Sequence, residues 1–436
     1  MQRIDTLGGE YLALFSNGAL TGEATTLIRG AAAKGAELIY GDALHVKEDG
    51  GEEPVFRPAY SPDTLLAYPY TGSLLVLSKR LYSRLQPDGR EDADAVYALL
   101  LRAAAMQQEA LHIPHALFRG APPPPCCSKR IATDALKRWS RLGTVHEGLF
   151  IGSFDVRYGL TGRPLISVIV VNEGDISAVR RTLEAIERVN SYRPYELIVA
   201  DGTIGDARTR AYYDALEQCG AARVVRLPGT ENLPRLLNDA AKRAMGELLL
   251  FLDAGLMPAN HDAMERLAEQ VVQSGTAAAG GKIVDRKNQL LQAGLVLGLA
   301  DLPVSLYAGR QDQITDPRQN YFTNCTRNVS AVQSAVMVHA ERFQSLGGFD
   351  ETFEVAAFAA DLCLRLSRSH QKTVYTPYAR FLDTGTAARR RALNRKNKDR
   401  CQDAFRQMRV HGDPMLSQNP LFLSSIEKSN RDDLFL

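Results

Sequence analysis

Two parts of this 436-residue chain repeat each other, and nothing else in the sequence restricts its folding as tightly. GEYLALFSNGAL (Gly9–Leu20) lies over GELLLFLDAGLM (Gly246–Met257) at an offset of 237, and LLVLSKRLYSRL (Leu74–Leu85) over AVMVHAERFQSL (Ala335–Leu346) at 261. Leu101-Arg102 and Ile113-Pro114 fall on Leu364-Arg365 and Thr376-Pro377 at 263. A slowly growing offset is what two copies of one fold give when the second carries an inserted loop. The first copy has no counterpart of Pro164–Met245, so it reads as half a domain.

The part without a counterpart alternates strands and helices. LISVIVV (Leu165–Val171) is β-branched and bounded by Pro164 and Asn172, which predicts a strand buried on both faces. Asp175 to Asn190 has helical periodicity, with Val179, Leu183 and Ile186 on one face. Further strands are expected at Tyr195–Ala200, Val224–Leu227 and Leu248–Leu252, separated by helices near 207–219 and 233–245. This alternation predicts an α/β, doubly wound sheet, whose ligands bind at the carboxyl ends of the strands. Those ends carry Asn172-Glu173, Asp201 and Asp253. The first copy lacks the first two of them and is not expected to bind a nucleotide by itself.

Composition narrows the function classes. Apolar residues are 45% and charged residues 23%, which is ordinary for a globular chain. Lys plus Arg (52) nearly balances Asp plus Glu (50), too even for a protein built around nucleic-acid phosphates. None of the six cysteines forms a Cys-x-x-Cys pair, so reduced thiols in a cytoplasmic setting are expected. The N-terminus shows no basic segment followed by an apolar stretch, and no run of about 18 apolar residues occurs. The basic run Arg389–Arg400 (RRRALNRKNKDR) is read as a solvated helix face, with peripheral contact to an anionic membrane as the other reading. Ala121-Pro122-Pro123-Pro124-Pro125 marks the clearest break. The expected organisation is a truncated half domain over 1–120, a Pro-rich linker and connecting helix over 121–163, a complete domain over 164–385 and a basic helical extension over 386–436.

Taken in order, PLISVIVVNEG (164–174), PYELIVADGT (194–203), Asn232 to Asn238, GELLLFLDAG (246–255), GGKIVDRKNQLLQAGLVLGL (280–299), SLGGFDETF (345–353), DLCLRL (361–366) and VYTPYA (374–379) resemble bacterial family 2 glycosyltransferases of the GT-A fold. The nearest type is the tandem-module O-antigen, rhamnan or capsule class. AELIYGDALHVKEDG, FRPAYSPDTLL and HIPHALF resemble the back part of a preceding module. The resemblance implies a mixed, doubly wound GT-A sheet preceded by a truncated copy. It implies a nucleotide-diphospho-sugar donor held by Val171, Asn172, Glu173, Asp201, Asn238 and Asp253. It also implies a divalent cation, Mn or Mg, on Asp253 and Asp383, because the leaving pyrophosphate gains negative charge. Asp361 or Glu354 would deprotonate a hydroxyl of a cell-surface polysaccharide or lipid-linked glycan acceptor, with inversion.

The sequence departs from that pattern where the chemistry would sit. Gly255 stands at the second metal-binding position, and Ala359 stands where the general base is usual. FLDTGT replaces the late His pair, and Ser16-Asn17-Gly18 replaces the Asp-x-Asp of the first copy. Two readings therefore stay open: a glycosyltransferase, or a catalytically inactive pseudo-glycosyltransferase acting as a binding or scaffold subunit beside a partner transferase.

Overall fold

The apolar run at 165–171 becomes strand β1 (Ile166–Asn172), buried along its whole length as a strand between two helical layers must be. The computed structural model describes residues 2–6, 9–15, 17–72, 74–87, 92–122, 125, 128–172, 174–299, 302–314, 317–353, 357–385 and 403–424. It divides into two units, the described residues up to 159 with 414–424, and the described residues of 160–413.

The second unit adds β2 (Tyr195–Asp201), β3 (Arg223–Arg226), β4 (Leu248–Asp253), β5 (Leu256–Pro258), β6 (Thr276–Val284), β7 (Leu290–Gln292), β8 (Arg327–Val329), β9 (Ala335–His339) and β10 (Lys372–Asp383). They form one sheet in the order β3-β2-β1-β4-β9-β6-β10-β5, with β7 on β6 and β8 on β10. The first four strands in that order are parallel, and β9 runs antiparallel between β4 and β6, so the sheet is mixed. Its α-helices are α1 (Ile176–Val189), α2 (Ala207–Gln218), α3 (Leu233–Ala241), α4 (Ala263–Val271), α5 (Pro317–Thr323), α6 (Ala340–Ser345), α7 (Phe358–Arg368) and α8 (Arg406–His411). Side chains of Asp175, Asp206 and Asn232 accept amide hydrogens at the starts of α1, α2 and α3. One sheet face packs Val168, Val170 and Val199 under Val179, Tyr213 and Leu267; the other packs Val171, Leu249 and Phe251 under Leu237, Phe343 and Leu362. The expected α/β architecture with a mixed sheet is present.

The first unit orders its main sheet as Gln2–Thr6, Tyr11–Phe15, Leu74–Ser78, Leu38–Val46, Leu111–Gly120 and Gly18–Leu20, with Glu52–Val55 on Leu38–Val46. After its first strand this is the order β4-β9-β6-β10-β5 with β7, and each pairing has the same sense. Register agrees as well. Leu12 faces Leu77 as Leu249 faces Val338, and Gly41 faces Ile113 as Gly281 faces Thr376, each of the last pairs followed by a bulge. Where β4 has parallel β1 at its side, Tyr11–Phe15 has antiparallel Gln2–Thr6.

Residues 129–158, expected within a connecting stretch, are instead packed into the first unit. The helix Lys129–Arg138 buries Ile131, Ala132, Ala135 and Leu136, an apolar stripe that a solvated linker would leave wet. A hairpin of Gly143–Glu147 and Phe154–Tyr158 follows, with Phe154 stacked on Tyr97 at 6.0 Å. Residues 414–424 also belong to this unit, through Asn419 donating to Asp42 at 2.8 Å and Phe422 against Phe56 at 5.2 Å.

Candidate functional site

The site expected at the strand tips is split by the sheet itself. Asn172 pairs with Asp201, and Val171 with Asp253, in the parallel register. Successive side chains alternate between faces. Val171 and Asp253 therefore lie on the face carrying Leu249 and Phe251, while Asn172 and Asp201 lie on the face carrying Val170 and Val199.

Asn172 and Asp201 are buried and joined through a residue that sequence reasoning missed. Tyr213 of α2 is 1% exposed, and its hydroxyl accepts from Asn172 Nδ2 at 2.9 Å and bonds Asp201. Burial, with the Asp201 carboxylate beside it, pushes that phenol well above its ordinary value. Asp201 Oδ1 also accepts from Thr203 N at 2.8 Å, and Asn172 Oδ1 from Gly174 N at 2.9 Å. Both side chains are thus bonded within the protein and covered by α2. Nothing in ARTRAYYDALEQ distinguishes Tyr213 from Tyr212 until the face that α2 presents is known.

Asp253 lines a cavity of about 20 Å³ with Val171, Phe251, Ser334, Phe358 and Ala359, room for about one water. Ser334 holds φ +77° and Ala357, just before α7, φ +62°, both in the left-handed region where non-glycine residues are strained. A larger hollow of about 160 Å³ lies at the opposite ends of the strands, with Thr161, Arg163, Glu247 and His339 among its lining.

At the corner expected to hold a metal, both backbone groups of Gly255 are taken up by hydrogen bonds. Gly255 has φ +94°, its N–H donates to Thr182 Oγ1 at 2.8 Å, and its carbonyl accepts from both Thr384 N and Thr384 Oγ1 at 3.0 Å. Asp383 faces Leu256 across β10 and β5, is 4% exposed, and accepts from Gly385 N at 2.8 Å. No group of three or more His, Cys, Asp or Glu is arranged to hold a metal among the described residues. Among the described residues this donor set falls short of the several oxygen ligands that a catalytic divalent cation takes.

Asn238 and Asp361 are engaged in packing contacts. Asn238 donates to Phe349 O at 2.9 Å and accepts from Phe349 N at 2.8 Å, clamping α3 to the Gly348–Glu351 turn. The sequence suggests that Asp361 opens its helix; α7 instead begins at Phe358, so Asp361 stands in the first turn. Its Oδ2 accepts from Arg365 Nε at 2.7 Å, and Arg365 donates to Leu346 O at 3.0 Å and Gly348 O at 2.8 Å. Ala359 is 3% exposed. Glu173, Glu354 and the run 389–400 lie outside the described residues.

Comparison with known proteins agrees with this architecture. Residues 166–326, within the second unit, match the family described as Glycosyl transferase family 2, and that unit has the mixed α/β sheet expected of a GT-A fold. Over 379 residues the chain is 28% identical to the O-antigen biosynthesis protein RfbC of Myxococcus xanthus, covering 80% of this chain and 29% of that protein. Over 381 residues it is 26% identical to the uncharacterized protein y4gI of Sinorhizobium fredii (strain NBRC 101917 / NGR234), covering 81% and 41%. The chain thus spans well under half the length of either relative. Among solved structures, it is similar to a mannosyltransferase of Pyrobaculum calidifontis in complex with GDP-Man and Mn2+, with TM-score 0.41, 16% identity and 63% and 76% of the two chains covered. It is also similar to GalNAc-T7 with UDP, GalNAc and Mn2+, with TM-score 0.43, 17% identity and 62% and 55% covered.

Proposed function

We propose that this chain serves the assembly of a cell-surface polysaccharide as a pseudo-glycosyltransferase. Its second unit keeps the transferase architecture without turning over a nucleotide-diphospho-sugar, and it acts as a binding or scaffold subunit beside a catalytically complete transferase. The observation that carries this reading is the state of the strand tips. Among the described residues, the cavity at Asp253 holds about 20 Å³, against the several hundred that a nucleotide-sized ligand fills. The other features agree. Asn172 and Asp201 are spent on Tyr213, Gly255 supplies no carboxylate, and Asp361 is paired with Arg365. The similarity to an O-antigen biosynthesis protein supports the pathway class.

Titration calorimetry with UDP and GDP, with and without Mn²⁺, tests the reading. The expected result is no binding below the millimolar range. Metal-dependent micromolar binding, lost in Asp253→Ala, would overturn it in favour of an inverting transferase acting on a glycan or lipid-linked glycan acceptor.

A further inference from the structure

We propose that the hairpin of the first unit, with the basic helix beside it, is a docking surface for an anionic lipid bilayer. Among the described residues, the strands Gly143–Glu147 and Phe154–Tyr158 pair only with each other. Their turn is locked. Gly148 N donates to Ser153 O at 2.9 Å, Ser153 N to Phe150 O at 3.0 Å, and Ser153 Oγ to Phe150 O at 2.6 Å. A Cβ on Gly148 would lie 2.2 Å from Ser153 Oγ, so the turn closes around a residue that must stay small. Phe150 turns inward, edge-on to Tyr68 at 5.2 Å. Its neighbours point out: Leu149 is 37% exposed and Ile151 79%. A rigid turn cannot fold these two side chains back onto the protein.

One flank of this apolar tip is a basic helix, which also pairs with Glu147, an exposed carboxylate beside the tip. Lys129 Nζ is 3.2 Å from Glu147, which sets the first turn of the helix Lys129–Arg138 against the tip. Lys129, Arg130, Lys137 and Arg138 of that helix are exposed, with Asp134 as its single exposed acid. An apolar point with a basic skirt fits the boundary between acyl chains and anionic headgroups. A protein partner is the poorer fit, because a stable protein interface buries roughly 800 Å² on each side and two side chains offer far less. This surface is separate from the strand tips, so its test does not depend on whether the second unit turns over.

The test is flotation of the full chain with phosphatidylcholine vesicles, with and without phosphatidylglycerol. Binding is expected only with phosphatidylglycerol, falling as salt is raised. Ile151→Asp should lower the bound fraction about tenfold, and joint replacement of the four basic residues by Gln at least as much. Ile151→Trp should still bind, with fluorescence quenched by brominated lipid. Because Ile151 is exposed, its variants should melt like the parent. Absence of flotation, or an Ile151→Asp variant that floats like the parent, would overturn the proposal. So would a dimer in light scattering that Ile151→Asp dissolves, since the tip would then be an interface between copies.

Discussion

Arg102 in the first unit and Arg365 in the second occupy matching places and do matching work. Arg102 donates to the carbonyls of Leu85 and Gln86, and Arg365 to those of Leu346 and Gly348, each guanidinium tying its helix to the turn after the preceding short helix. Their acidic neighbours differ. The position of Asp361 is Ala98 in the first unit. A feature present in both units belongs to the plan of the fold, and one present in a single unit is free to vary around it. By that measure the arginine clamp is structural. Asp361, present in the second unit alone, accepts from Arg365 Nε and aims that arginine.

The largest effect that separates the units should come from the glycine before the shared bulge. A Cβ on Gly281 would lie 2.3 Å from Ala379 O, a backbone atom that cannot retreat without moving β10. A Cβ on Gly41 would lie 2.6 Å from the buried Leu117 side chain, and its nearest backbone atom, Ile113 O, is farther off at 3.0 Å. Gly281→Ala should therefore cost about 3 kcal/mol or more, and Gly41→Ala about 1–2 kcal/mol. Equal costs in urea unfolding would break the claim that backbone approach is tighter in the second unit. Next in size, Arg365→Met should cost about 2 kcal/mol, because it strips donors from two part-buried turn carbonyls. Arg102→Met should cost about 1 kcal/mol, because one of its two acceptors, Gln86 O, is exposed. Asp361→Asn should cost about 1 kcal/mol or less, since the clamp to Leu346 and Gly348 stays. A larger loss there would mean that the ion pair, not the arginine alone, holds the turn.

Much of this plan was legible in the residues. The offsets 237, 261 and 263 also separate corresponding register pairs of the two sheets, as they must where each sheet keeps its alternation to keep its core. β-branched runs located β1 and β2 within a residue or two. The site was less legible, for a geometric reason. Asp201 and Asp253 both end strands, but which face each meets depends on register between strands, and no local pattern encodes that. Nor does any motif announce that Tyr213 would reach back from α2 to Asn172, or that Thr182 and Thr384 would take up both backbone groups of Gly255. The packing of residues 129–158 was hidden by the proline run before it, which reads as a spacer whatever follows.

The smallest effect sharpens the comparison most finely, because it turns on one backbone angle. After the short helix Lys79–Arg84, Gln86 holds φ +51°; after α6, its counterpart Gly347 holds φ +76°. The left-handed region pushes a Cβ too close to the following carbonyl oxygen, a penalty glycine does not have. Gln86 is exposed, so truncating it loses no packing. A Cβ at Gly347 would meet nothing within 4 Å, so any cost there comes from the backbone. Gln86→Gly should stabilise the first unit by about 0.5–1 kcal/mol, and Gly347→Ala should destabilise the second by about 1 kcal/mol. Opposite signs in thermal unfolding would show that both turns obey one backbone rule. Two changes of the same sign would mean that the match between the turns stops at hydrogen bonding, with each tuned by its own surroundings.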